Sequence, residues 1–143
     1  LVDVASSLRN ITVDAVDALK LGRFWAAALG WNVYHADEPE VLVAPHFPPL
    51  GDTPTMLFIP VPEARTAKNR VHVDLQPTDR TRDEEVDRLI GLGATLVEDH
   101  RDPDGTGWVW LADIEGNDFC VERGVAERAA KAKPRFFHLS EEE

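Results

Sequence analysis

His72 and Cys120 are the side chains of this sequence most capable of chemistry, and Trp108 and Trp110 those best suited to grip a flat molecule. A histidine's free pKa lies near physiological pH, so a neutral His72 could serve as a general base. Cys120 could be a nucleophile only with a depressed pKa, which an adjacent His72 would supply. The plainer roles are a histidine satisfied by Asp74 or by backbone, and a cysteine filling space on a sheet. Trp108 and Trp110, two positions apart, share one face of any strand. There they would stack on a ligand for about 0.5–1.5 kcal/mol beyond burial, or bury in the core or a homodimer contact. Asp14, Asp74, Asp118 and Glu122 could form an acidic floor for a cationic ligand, with exposed strand charge the plainer role of the last two. His35, His46, His100 and His138 show no ligand spacing. The sequence carries no glycine-rich phosphate loop, Gly-X-Ser-X-Gly elbow, Cys-X-X-Cys or His-Glu-X-X-His.

The elements that must position these residues occur twice. Residues 10–17, a helix-like run and Leu29-Gly30-Trp31 are echoed by residues 72–79, a second run and Leu92-Gly93-Ala94. The offset is 62 at the first strand and 63 at the glycine, the mark of a duplicated module. In the first copy, residues 10–16 alternate as a half-buried strand. Residues 18–29 place Leu21, Phe24, Trp25, Ala28 and Leu29 on one helical stripe, with Asp17 as N-cap and Gly30 as left-handed stop. Strands are expected at 31–35, 41–44 and 56–61, with a proline-rich loop at 46–54. The second copy predicts a strand at 70–76, a helix at 82–92, and strands at 95–99, 107–112 and 119–122. The polar segment 63–69 joins the copies, and residues 125–133 suggest a short helix. Phe136 and Phe137 are candidates for docking on the body of the protein. The expected layout is one domain over 1–124, made of modules 10–62 and 70–122, followed by a tail over 125–143.

In this order and spacing, the chain resembles the glyoxalase, bleomycin-resistance and extradiol-dioxygenase (vicinal oxygen chelate) superfamily. The residues that carry the likeness are Asp17, Phe24-Trp25, Leu29-Gly30-Trp31, Asn69-Arg70-Val71-His72-Val73-Asp74-Leu75, Gly91-Leu92-Gly93-Ala94 and Asp113-Ile114-Glu115-Gly116-Asn117-Asp118. The last is similar to the family's Asp-Pro-(Asp/Glu)-Gly-Asn turn, with Ile114 in place of proline. The Phe-Trp pair and the Asn-Arg-X-His-X-Asp run are most similar to the small bacterial glyoxalase-like branch. The resemblance implies an α+β fold: two βαβββ modules forming a curved mixed sheet, helices outside, concave cleft inside.

Alternation then divides the strands. Ile11, Val13, Leu57, Ile59, Val73, Leu75, Phe119 and Val121 should lie under the helices. Asn10, Thr12, Asp14, Phe58, His72, Asp74, Gln76, Asp118, Cys120 and Glu122 should line the cleft, with Trp108 and Trp110 as aromatic walls. The family's metal enzymes draw four ligands from the first and last strand of each module. The repeat carries those positions onto Asn10, Phe58, His72 and Cys120, of which only His72 is a standard ligand. A divalent metal is therefore not expected. The resemblance implies a small-molecule binder with a degenerate metal site, similar to resistance proteins that sequester an aromatic or cationic compound. Its alternatives are a lyase, isomerase or dioxygenase using His72, with or without metal, and a homodimeric interaction module. The expected ligand-binding set is Asn10, Asp14, Phe58, His72, Asp74, Trp108, Trp110 and Cys120, with His72 as catalytic candidate.

A formal charge of −11 over 143 residues argues against nucleic acid or an anionic membrane, both of which reward clustered Lys and Arg. A single cysteine excludes an internal disulfide and suits a reducing compartment. No apolar stretch approaches the roughly 20 residues that span a bilayer, and no signal peptide is visible, so a cytoplasmic protein is expected.

Overall fold

Alternation over the first copy gives strand β1 (Asn10–Ala15) in the computed structural model, which describes residues 5–35, 39–48 and 53–130. Asp17 caps helix α1 (Ala18–Leu29) by accepting from the Lys20 amide. Gly30 ends it at φ 69°, a left-handed conformation that costs glycine little. Strands β2 (Asn32–His35), β3 (Val41–Ala44) and β4 (Thr55–Pro60) complete the copy.

The second copy runs β5 (Val73–Leu75), α2 (Arg82–Gly91), β6 (Thr95–Arg101), β7 (Gly107–Ala112) and β8 (Asp118–Val121). Thr81 and Glu84 close a reciprocal capping box at the start of α2. The short helix α3 (Val125–Ala130) follows, where the Glu127 carboxylate accepts from the Arg82 and Gly124 amides. Phe136 and Phe137 lie outside the described residues.

Each copy hydrogen-bonds into its own four-stranded mixed sheet, ordered β1-β4-β3-β2 and β5-β8-β7-β6. β1 pairs in parallel with β4, and β5 with β8, while the remaining pairs are antiparallel. The curved sheet is thus divided along a seam, at which β1 and β5 are the edge strands of their sheets among the described residues. The fold is α+β, two βαβββ modules, as the repeat implies.

Helix α1 holds the sheets together through its apolar stripe. Trp25 meets Phe119 of the opposite module at 5.1 Å between ring centroids, and Phe24 meets it at 6.2 Å. Beneath the helix, Gly22 allows the close approach, since an added Cβ would stand 2.8 Å from Val41 Cγ1. A mid-helix glycine costs about 1 kcal/mol against alanine, and the packing it permits offsets that.

Two expectations need correction. The fifth strand is shorter than residues 70–76: it begins at Val73, because its partner β8 begins at Asp118 and pairing starts at Val73 with Phe119. His72 therefore lies just before the strand, not in it. The second correction concerns β4. Ile11 pairs with Met56 and Val73 with Phe119, so the repeat offset has already grown to 63 at the last strand of each copy. That one-residue shift turns Phe58 inward, 0% exposed beneath α1, and moves Leu57 and Ile59 to the opposite face.

Candidate functional site

A cavity of about 510 Å³ opens along the seam between β1 and β5. Ile11, Val13, Met56 and Val73 supply an apolar wall, with Asp14, Asn69 and Arg70 among the polar groups around it. Neither Asp14 nor Arg70 makes an ion pair among the described residues, so both charges are available to an occupant. The cavity is fenced by the connection over residues 61–72, which crosses from β4 toward β5.

Asp118 anchors that connection. Its carboxylate accepts from Arg65 Nη2 at 3.0 Å, from the Asn69 amide at 3.2 Å and from Trp110 Nε1 at 3.0 Å. Burial alone would push the Asp118 carboxyl up, but the Arg65, Trp110 and Asn69 bonds prevail and hold it below the usual carboxylate range. Asn69 adds a bond from Nδ2 to Asn117 Oδ1 at 3.0 Å. Asp118 is therefore an ionised, fully engaged post between the cavity and the neighbouring aromatic surface, not a free acid on the cleft floor.

That surface is the concave face of the second sheet. Pairing places Asp74, Cys120, Trp110 and Glu98 in one row across four strands, so their side chains emerge on the same side. His72 stacks on Trp110 at 6.5 Å with 27° between ring planes, and Lys68 sets its ammonium 4.1 Å above the indole centroid. Trp108 stacks on His100 at 4.7 Å and is 45% exposed. The structure thus gathers His72, Asp74, Trp108, Trp110 and Cys120 on one surface. It leaves Asn10 and Asp14 on β1, and removes Phe58 to the core.

The surroundings of the two reactive groups favour their plainer roles, a protonated cysteine on the sheet and a histidine bonded to backbone. Burial pushes the Cys120 thiol up, the carboxylates of Asp74, Glu122 and Asp118 push it further, and Lys68 opposes them weakly. Cys120 is therefore a protonated thiol at neutral pH, unsuited to nucleophilic attack. His72 Nε2 lies 2.7 Å from the Asn69 carbonyl oxygen. A carbonyl only accepts, so Nε2 donates in this bond, and in the neutral ring Nδ1 is the acceptor nitrogen.

The donor set does not fit the family's divalent metal. With the corrected register, the four family positions are Asn10, Leu57, His72 and Cys120. Asn10 bonds to the Thr12 hydroxyl, Leu57 has no donor, His72 points Nε2 at a carbonyl, and Cys120 holds its proton. Among the described residues, no group of three or more His, Cys, Asp and Glu side chains is arranged to hold a metal ion.

Alternation along the strands found the second-sheet surface but missed Arg65 and Lys68, which sit in a connection without periodicity. Asn69 and Arg70 were visible only as members of the run from Asn69 to Leu75. A second hollow of about 390 Å³ lies near the end of α1 and the start of α2, where Glu85 already pairs with both Arg80 and Arg88.

Residues 10–122 match the family described as glyoxalase-like domain. The chain belongs to that family. Among solved structures, it is similar to the fosfomycin resistance protein FosX of Mesorhizobium loti at 16% identity. That match has a TM-score of 0.63 and covers 88% of this chain and 99% of that one. A FosX variant from Listeria monocytogenes, described with Mn(II) and 1S,2S-dihydroxypropylphosphonic acid, matches at 15% identity and a TM-score of 0.65, covering 91% and 100%. A glyoxalase/bleomycin resistance protein/dioxygenase family enzyme from Burkholderia phytofirmans PsJN matches at 16% identity and a TM-score of 0.60, covering 84% and 99%. Similarity at this level establishes the glyoxalase-like fold. No protein of curated function matches the sequence. Among the described residues, no helix is long and apolar enough to cross a membrane.

Proposed function

We propose that this glyoxalase-like chain binds a small organic molecule, aromatic or cationic, and holds it without a divalent metal, in the manner of a sequestering resistance protein. The observation that carries this reading is the cavity of about 510 Å³, with an apolar wall and convergent polar groups, joined through Asp118 to the Trp110 surface. The donor set at the family's metal positions supports the metal-free part of the reading.

The test is a ligand screen read by tryptophan fluorescence and confirmed by calorimetry, on wild type and on Ile11→Trp. Ile11 lines the cavity and is 37% exposed, so the larger ring fills the space without disturbing the core. A ligand held in the cavity should lose at least tenfold in affinity on Ile11→Trp. Binding that is indifferent to the substitution would place the site elsewhere. Metal titration with zinc, nickel, manganese and iron should leave no stoichiometric ion after dialysis; one tightly held metal per chain would sink the metal-free reading.

One observation favours a second reading, a metal-free enzyme of the same fold. The bond from His72 Nε2 to the Asn69 carbonyl leaves Nδ1 of a neutral ring as the nitrogen able to take a proton beside the Trp110 surface. Turnover of a screened ligand, lost in His72→Ala and in His72→Gln while binding persists, would move this reading ahead of sequestration.

A further inference from the structure

Lys68 is an unusual cation for its surroundings. It makes no ion pair among the described residues, although carboxylates lie on the surface around it. Instead it rests its ammonium on the face of Trp110 at 4.1 Å from the centroid. The indole is held rigid from its edge by the bond from Nε1 to Asp118, so its face is a fixed platform. On the same row, Asp74 lies two strands away on one side and Glu98 one strand away on the other, roughly 10 Å and 5 Å at ordinary strand spacing. The Asp74 carboxylate has no hydrogen-bond or ion-pair partner among the described residues. Glu98 is already engaged by His100 Nε2 at 2.8 Å, which leaves Asp74 as the unengaged carboxylate of the row. An aromatic face with a carboxylate nearby is the arrangement that recognises an organic ammonium.

We propose that this surface is an organic-cation site and that Lys68 is its internal occupant, holding over Trp110 the place a ligand's ammonium takes. The proposal rests on the reading of this face as part of the ligand surface, and it commits that reading to one ligand chemistry. Binding then requires displacement of Lys68, whose contact is exposed and therefore weak enough to yield. The lysine acts as a built-in competitor that sets the threshold affinity for entry. Only a cation that gains more than Lys68 from the indole and the carboxylates displaces it.

The test uses tetramethylammonium chloride as probe at constant ionic strength, with sodium chloride as the balancing salt. The readout is the Trp110 indole N–H resonance, assigned by its loss in Trp110→Phe. Lys68→Ala should lower the half-saturating concentration by at least roughly two- to fivefold, the factor that an exposed cation–π contact represents. Asp74→Asn added to Lys68→Ala should raise it again. Ile11→Trp should leave it unchanged, which separates this test from the cavity reading. The proposal is overturned if Lys68→Ala leaves half-saturation where it was or raises it, or if tetramethylammonium moves the Trp110 resonance in no variant. Benzoate is the opposing probe: a wild-type response that disappears in Lys68→Ala would make Lys68 an anion-binding group and overturn the proposal equally.

Discussion

At the scale of single residues, the environment of Cys120 decides what the thiol can do. Partial burial, reinforced by three carboxylates, holds its proton, so the reactive thiolate is scarcer than in a free cysteine at the same pH. Alkylation by iodoacetamide at pH 8 should run slower than that of glutathione and gain rate as pH rises further. Asp74→Asn, which removes the first-named of those charges, should speed it. A thiol that reacts as fast as glutathione, with no response to Asp74→Asn, would mean the carboxylates do not govern it. The sequence showed that Cys120, Trp110 and Asp74 share a face, because alternation in a sheet is a local property. It did not show the sign of the pKa shift, which depends on burial and on charges from β5, from β8 and the residue after it, and from the connection. Phe58 illustrates the opposite hazard: the single residue gained between the copies is invisible in the first strand's offset, and it reverses every facing assignment on β4.

At the scale of elements, the turn after β7 joins the two modules through one carboxylate. Asp113 Oδ1 accepts from the amides of Glu115 and Asn117, and Oδ2 accepts from the buried Trp25 Nε1 at 3.0 Å. One carboxylate therefore shapes the turn and ties it to α1 of the other module. Asp113→Ala should cost about 1–3 kcal/mol, because it strands a buried indole N–H as well as the turn amides. Urea unfolding checks this, and the same substitution placed in Trp25→Phe should cost less. An equal cost in both backgrounds would assign the effect to the turn alone. The turn was legible as a strand connection of a known kind. Its role as a tie between modules was not, since the indole partner lies 88 residues away. The ends of α1 were legible for the converse reason, being set by Asp17 and Gly30 within the helix's own neighbourhood.

For the molecule as a whole, the question is what makes two small modules one body within a single chain. The second module grips α1 at both ends, and with the charge each end favours. The Glu115 carboxylate accepts from the Val16 and Asp17 amides at 2.7 and 3.0 Å, at the electropositive N-terminus. Arg88 donates to the Ala27 and Ala28 carbonyls at 3.0 and 2.8 Å, at the electronegative C-terminus. Glu85 orients that guanidinium by pairing with it. Glu115→Ala and Arg88→Ala should each lower unfolding free energy by about 0.5–2 kcal/mol, a range set by one charge at a helix end together with its hydrogen bonds. The 12-residue helix keeps the two sites about 18 Å apart, so the losses should add in the double variant. Because both grips run within one chain, dilution should not loosen them. The emission of Trp25, obtained as the difference between wild type and Trp25→Phe, should stay constant from micromolar to nanomolar protein. A red shift on dilution would show that the grips join two chains, with each helix held by the module of a neighbour.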